Sequence, residues 1–223
     1  MNSRITEVVG SGIATGAIAP GDRLTLEGLQ ERFGVSRTVV RDCMQILEAM
    51  NLVYSKRRIG LVVQHPSRWN VYDPRVIRWR LSGPGRREQF ESLTELRIAV
   101  EPLAAAGAAR HAYPDQREKL VLLSRRMREA AADPEVFLAA DITFHTLLLQ
   151  ASGNEMFAAL SDVVAEVLSG RNRQNLMPSG PRPEALDGHE AVAAAVAAMD
   201  PAAARARMAD LLFEVEEAIH HRE

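Results

Sequence analysis

Along most of the chain the apolar positions recur every three or four residues, the interval of a helix that buries one face. Residues 5–15 carry that pattern and are closed by Gly16 and the turn Ala19-Pro20-Gly21-Asp22. A second helix is expected from Thr25, with Leu26, Leu29 and Phe33 apolar and Gly34 as its stop. A third begins at Ser36, a good N-cap, and turns Val39, Val40, Cys43, Ile46, Leu47 and Met50 inward. Asn51 follows, a residue that tolerates the left-handed backbone of a helix end. Leu52–Tyr54 and Leu61–Gln64 then read as two short strands around Ser55-Lys56-Arg57-Arg58-Ile59-Gly60, a hairpin with a basic, glycine-bearing tip.

Residues 65–73 read as a linker. Asp73-Pro74 opens another helix, with Asp as cap and Pro in the first turn, and Gly83-Pro84-Gly85 ends it. Its Val76, Ile77, Trp79 and Leu81 need a partner surface, and a second copy of the chain is the expected one. Everything afterwards follows the helical interval, over about 87–112, 115–132, 134–151, 154–172, 183–199 and 201–221. The breaks fall at Tyr113-Pro114, Asp133-Pro134, Ser152-Gly153, Met177–Pro183 and Asp200-Pro201. No strand pattern follows residue 64, and no internal repeat is visible. The expected fold is mainly α, with a small strand-bearing module ahead of an all-helical bundle.

Charge adds a functional distinction to that division. Residues 1–87 hold 14 Lys and Arg against 7 Asp and Glu, whereas residues 88–223 hold 13 against 22. A basic module for a polyanion joined to an acidic module with another task is the expected organisation. The single Cys43 excludes an internal disulfide framework and fits a reducing compartment. No apolar run approaches the ~20 residues of a membrane span. The N-terminus lacks a basic region followed by an apolar stretch, so a cytoplasmic location is expected.

A short helix, a glycine turn and a Ser-capped helix have helix-turn-helix spacing, in which the second helix enters the major groove by its N-terminal end. Here that end is Ser36, Arg37 and Thr38, with Arg41 one turn on and on the same face as Arg37. Arginine reads guanine through two hydrogen bonds, while Ser and Thr suit phosphates or base edges. Lys56, Arg57 and Arg58 with Gly60 fit a wing, since glycine lets the backbone approach a narrow groove. The competing reading is a helical core with solvated arginines.

The stretches GAIAPGDRL, LQERFGVSRTVVRDCMQILEAMNLV and RRIGLVV resemble the winged helix-turn-helix of the GntR family of bacterial transcription regulators. Asn51 stands where that family usually has Gly. Glu27-Gly28 stands where many members carry a basic residue, which leaves one of the family's phosphate contacts without its residue. The helical remainder resembles the all-helical effector domain of the FadR subfamily, through LRIAVEPLAAAGAA, DITFHTLLLQASGN and GHEAVAAAVAAMDPAAARARM. The domains are therefore expected as 1–66, a winged helix-turn-helix DNA-binding domain; 67–86, a linker and connecting helix; and 87–223, an effector and metal-binding domain. SRWNVYDPRVIRWRL, with the ELRIAVEPLAAAGAA that follows, is similar to the galactonate-operon repressor type within the subfamily.

Asp141 and His145 stand four residues apart in an apolar helix, so both lie on one stripe. Burying them costs several kcal/mol unless something satisfies them. A metal ion between facing helices does so; a hydrogen-bonded or solvated pair is the alternative. The resemblance implies a divalent metal (Zn, Ni or Mn) held by Asp141, His145 and His189, and a carboxylate effector met by Arg97 and Asn154. Arg97 has a second reading as the ion-pair partner of Glu101, one turn on. Asn154 is first a helix cap. The family's further histidine, 22 residues after His189, is Leu211 here, so three protein ligands and open positions are expected. Arg171 and Arg173 are placed near the cavity mouth or in solvent, and His65, His111, His220 and His221 at the surface.

The implied function is a homodimeric, non-enzymatic repressor on near-palindromic double-stranded operator DNA, released by a small carboxylate, a sugar acid, at a metal site. A regulator that answers to the metal alone is one alternative. A metal-dependent hydrolase or lyase is another, since Asp and His beside a metal can activate water.

Overall fold

The computed structural model describes residues 2–57, 59–173 and 182–220, and it divides into two compact units, residues 1–86 and 87–223. The first unit runs α1 (Asn2–Ala14), β1 (Arg23–Leu24), α2 (Leu26–Phe33), α3 (Arg37–Ala49), β2 (Val53–Lys56), β3 (Gly60–Val63) and α4 (Pro74–Leu81). Ile5, Val9 and Ile13, at intervals of four, make a stripe on α1, and Val40, Cys43 and Leu47 make the matching stripe on α3. Both stripes join one core with Leu29, Met50, Leu52, Val53, Leu61 and Val63.

Caps set the helix ends as the sequence suggests. Thr25 accepts from the Gly28 amide, Ser36 from the Val39 amide, and Gly34 closes α2 in the left-handed conformation at φ 63°. Asn51 takes φ 56° directly after α3. The sheet, however, has three strands in the order β1-β3-β2, all antiparallel. The two-residue β1 pairs Arg23 with Val62 and Leu24 with Leu61. A strand that short carries no alternation, so only its pairing reveals it.

Helix α4 finds its partner surface inside its own unit. Val76 and Trp79 join the core of α1 and α3, and the Trp79 indole N–H donates to Glu7 Oε1 at 2.7 Å. Gly10 allows the approach, because a Cβ there would lie 2.3 Å from the indole ring. The contact expected from a second copy is therefore made by α1 for these two residues, and Ile77 and Leu81 are buried as well.

The second unit is helical throughout its described residues: α5 (Arg86–His111), α6 (Pro114–Glu129), α7 (Pro134–Ala151), α8 (Glu155–Ala158), α9 (Ser161–Arg173), α10 (Pro183–Ala197) and α11 (Pro201–His220). The helix expected over 154–172 is split at Ala159 and Leu160; neither Gly nor Pro marks the break. Helix α7 is buried on two sides. Phe144, Leu147, Leu148 and Ala151 meet α5, α6, α10 and α11, while Leu149 packs with Ala104, Val164 and Leu168. The alanine-rich end of α5 permits close backbone contact, and a Cβ at Gly107 would sit 2.3 Å from the Ser152 carbonyl oxygen. Among the described residues no helix is long and apolar enough to cross a membrane.

Candidate functional site

Deep in the second unit α7 and α10 bring three ionisable side chains together. Asp141 and His145 project from successive turns of α7, and His189 reaches them from α10; they are 1%, 2% and 5% exposed. His189 Nε2 lies 3.1 Å from Asp141 Oδ1 and 3.3 Å from His145 Nε2. His145 Nε2 lies 3.2 Å from the same carboxylate oxygen. The Phe144 ring meets both imidazoles edge-on, with centroids 5.6 and 5.2 Å away, and so limits their rotation.

The far nitrogens of the two rings decide what the near ones offer. His189 Nδ1 lies 2.6 Å from the Ala185 carbonyl oxygen, which only accepts, so Nδ1 carries the proton. His145 Nδ1 lies 2.6 Å from Glu101 Oε2. Burial alone would push the Glu101 carboxyl upward, but the charges of Arg97 and His145 and their hydrogen bonds outweigh it and hold it down at about 2. Glu101 is therefore an anion and accepts from His145 Nδ1. In their neutral forms both rings turn an Nε2 lone pair toward Asp141 Oδ1, so three electron-pair donors converge on one point.

Such a set calls for a cation. Metal–ligand bonds of about 2.0–2.1 Å, at tetrahedral to octahedral angles, put neighbouring ligand atoms roughly 2.8–3.4 Å apart. The three observed separations, 3.1, 3.2 and 3.3 Å, fall in that range. Two imidazole nitrogens and one carboxylate oxygen suit a divalent ion of the zinc, nickel or manganese kind. Among the described residues only these three bring possible ligand atoms within 4.8 Å of one another. Leu211 is 3% exposed and packs beside Gly188, where a Cβ would lie 2.9 Å from its Cδ1. Next to His189, then, α11 presents a hydrocarbon rather than a ligand.

Arg97 is drawn into this cluster from α5. Its Nε donates to Glu101 Oε1 at 2.6 Å, and its Nη2 lies 3.5 Å from both Glu101 Oε2 and His145 Nδ1. The ion-pair reading of Arg97 is thus realised. Asn154 lies away from the cluster at an exposed position, where its side chain accepts from the Met156 amide and caps α8. The side chains of Arg171 and Arg173, and His221, lie outside the described residues, as does the side chain of His220. The role missed in the sequence is that of Glu101 toward His145; its spacing from Arg97 signalled only the ion pair.

In the first unit Arg37, Thr38 and Arg41 are exposed on the first turns of α3, with Ser36 exposed just ahead of them. The Ser36 hydroxyl accepts from the Val39 amide at 3.5 Å and remains able to donate. Lys56 and Arg57 are exposed at the β2–β3 tip; Arg58 lies outside the described residues. Gly60 has a requirement of its own within the sheet. Its φ is 99°, and a Cβ would meet the Leu24 carbonyl oxygen at 2.7 Å.

Comparison with known proteins places a family match on each of the two units. The family described as "Bacterial regulatory proteins, gntR family" matches residues 2–63, and the FCD domain family matches residues 92–213. The chain is 29% identical over 203 residues to the galactonate operon transcriptional repressor of Escherichia coli (strain K12), covering 90% of this chain and 89% of that one. It is 30% identical to the HTH-type transcriptional regulator LutR of Bacillus subtilis (strain 168), covering 93% and 95%. Among solved structures, that of Lar, described as controlling expression of the Listeria monocytogenes agr system, superposes with a TM-score of 0.66 at 18% identity, covering 100% and 98%.

Proposed function

The chain belongs to the GntR family of bacterial transcription regulators and carries an FCD domain, and from that premise we propose a homodimeric repressor released from operator DNA by a sugar acid bound beside a metal ion. The observation that carries the effector half is the convergence of His145 Nε2, His189 Nε2 and Asp141 Oδ1 at 3.1–3.3 Å. These three residues would hold the ion, and Leu211 leaves part of its shell to other oxygens. A bound divalent cation supplies concentrated positive charge for a carboxylate and a neighbouring hydroxyl. The Nη1 edge of Arg97 is the fork offered to the same carboxylate. The name of the E. coli relative supports the ligand class, since galactonate is an acid of this type. Asn154, exposed and engaged in capping α8, is not a first choice for effector contact.

DNA recognition falls to the first unit. Ser36, Arg37, Thr38 and Arg41 would meet one major groove, with Lys56, Arg57, Arg58 and the Gly60 turn along the backbone beside it. Two copies then read two half-sites, and effector binding changes the placement of the reading heads so that both can no longer engage together. Families and relatives alike are transcription regulators and not enzymes, so the hydrolase or lyase alternative is set aside.

Thermal-shift screening of aldonates, uronates and dicarboxylates, with and without chelator, tests the reading. The expected hit raises Tm only when metal and acid are both present. A metal that releases operator DNA with no acid added would replace the sugar-acid reading with metal sensing.

The cluster also sets a pH dependence. Burial alone would push the His145 imidazole down, but the Glu101 charge and the hydrogen bonds that His145 donates to Asp141 and Glu101 outweigh it, so its pKa is raised above the ordinary 6.5. In the metal-free protein this proton contributes stability below pH 6.5, and the contribution is lost as pH rises through the raised value. A metal must displace that proton. The Tm increment from metal is therefore expected to grow with rising pH; an increment largest in acid would contradict the ligand set.

A further inference from the structure

The structure assigns Glu101 a positioning role that rests on the metal reading above: it makes His145 a ligand by fixing which ring nitrogen carries the proton. Two groups face His145 Nδ1. Glu101 Oε2, at 2.6 Å, is an acceptor, and Arg97 Nη2, at 3.5 Å, is a donor. They demand opposite tautomers. With the acceptor closer, Nδ1 holds the proton and Nε2 turns its lone pair toward Asp141 and His189. Were the donor to win, the proton would sit on Nε2, and the ring could not bind a cation there.

Glu101 also keeps Arg97 out of this contest. Its Oε1 takes Arg97 Nε at 2.6 Å while Oε2 takes the imidazole, so a single carboxylate separates two groups that would otherwise meet. All three residues are 2% exposed, so water is poorly placed to substitute. A glutamine of the same shape cannot do both jobs. Arg97 only donates, so it takes the amide oxygen; the amide NH2 is then left against Nδ1, which must accept and pass its proton to Nε2. Any anion that draws Arg97 away relieves the same contest, which ties effector binding to metal retention beyond the direct contact between them.

The test is metal affinity, read by chelator competition with zinc on the full-length protein. Glu101→Gln is expected to weaken zinc binding by about 10- to 100-fold, the range for partners that orient a ligand. Glu101→Gln combined with Arg97→Met should recover most of that loss, because the amide oxygen is then free to turn to Nδ1–H. A role in folding alone predicts no such recovery, since the double variant removes the ion pair entirely. Nitrogen NMR of zinc-loaded wild type gives a check that needs no variant: His145 should carry its proton on Nδ1 and its metal on Nε2. Unchanged zinc affinity in Glu101→Gln, absent recovery in the double variant, or zinc on Nδ1 would each overturn the assignment. Failure of the wild type to bind zinc, nickel or manganese would overturn the metal reading itself, a result distinct from these.

Discussion

Asp141→Asn should remove metal binding while leaving the second unit folded. The amide keeps the shape of the carboxylate but is a poor ligand, and its NH2 donates to the imidazole lone pairs that a cation would otherwise take. In the metal-free protein the Asp141 carboxylate is a hydrogen-bond partner of His145 and favours its protonated form, so its removal has a cost there too. Zinc affinity is expected to fall by more than about 100-fold, beyond the effect of substituting a residue that only orients a ligand. The Tm of the metal-free variant should fall below that of metal-free wild type, most at acid pH where His145 carries its second proton. The variant should stay on operator DNA and no longer respond to the acid. An Asp141→Asn protein with an intact, chelator-sensitive Tm increment would remove these three residues from the effector site.

Arg37→Ala should have the largest effect on DNA. A bidentate arginine–guanine contact is worth about 1–3 kcal/mol, and the proposed dimer would lose two, so specific affinity should drop by about 2–6 kcal/mol. The change is confined to an exposed side chain on the first turn of α3, so the fold and the metal- and acid-dependent Tm shift should persist. Lys56→Ala is the informative contrast. A wing contact with phosphate carries no base information, so its loss should weaken all sequences alike and lower the salt slope by about one for each contact removed. Fluorescence anisotropy with operator and scrambled duplexes, over a range of salt, separates the two. Discrimination between the duplexes that survives Arg37→Ala would move the reading head elsewhere on the first unit.

Such opposite expectations follow from where each residue sits. Arg37 acts from solvent, where one side chain can be removed with little structural cost. Asp141, His145, His189, Arg97 and Glu101 are all 5% exposed or less and share hydrogen bonds. Substitutions among them are expected to couple, and pairs measured together should not equal the sum of singles.

The sequence determined by itself what local chemistry can encode. Ser36 and Gly34 set the ends of helices because a cap and a left-handed turn are satisfied within a few residues. The stripe of α3 and the shared face of Asp141 and His145 follow from helical period alone. Tertiary structure decided whatever depends on residues distant in the chain. The strand β1 exists because Arg23 and Leu24 meet Val62 and Leu61. Helix α4 buries Val76 and Trp79 because α1 lies against it with a glycine at the contact. Glu101 bears on the cluster of Asp141, His145 and His189 because packing brings α5 against α7 and so carries its carboxylate to a histidine 44 positions away. Period and caps are read within one turn, whereas the proton on an imidazole is set by whichever group the fold places 2.6 Å from it, and no spacing along the chain records that.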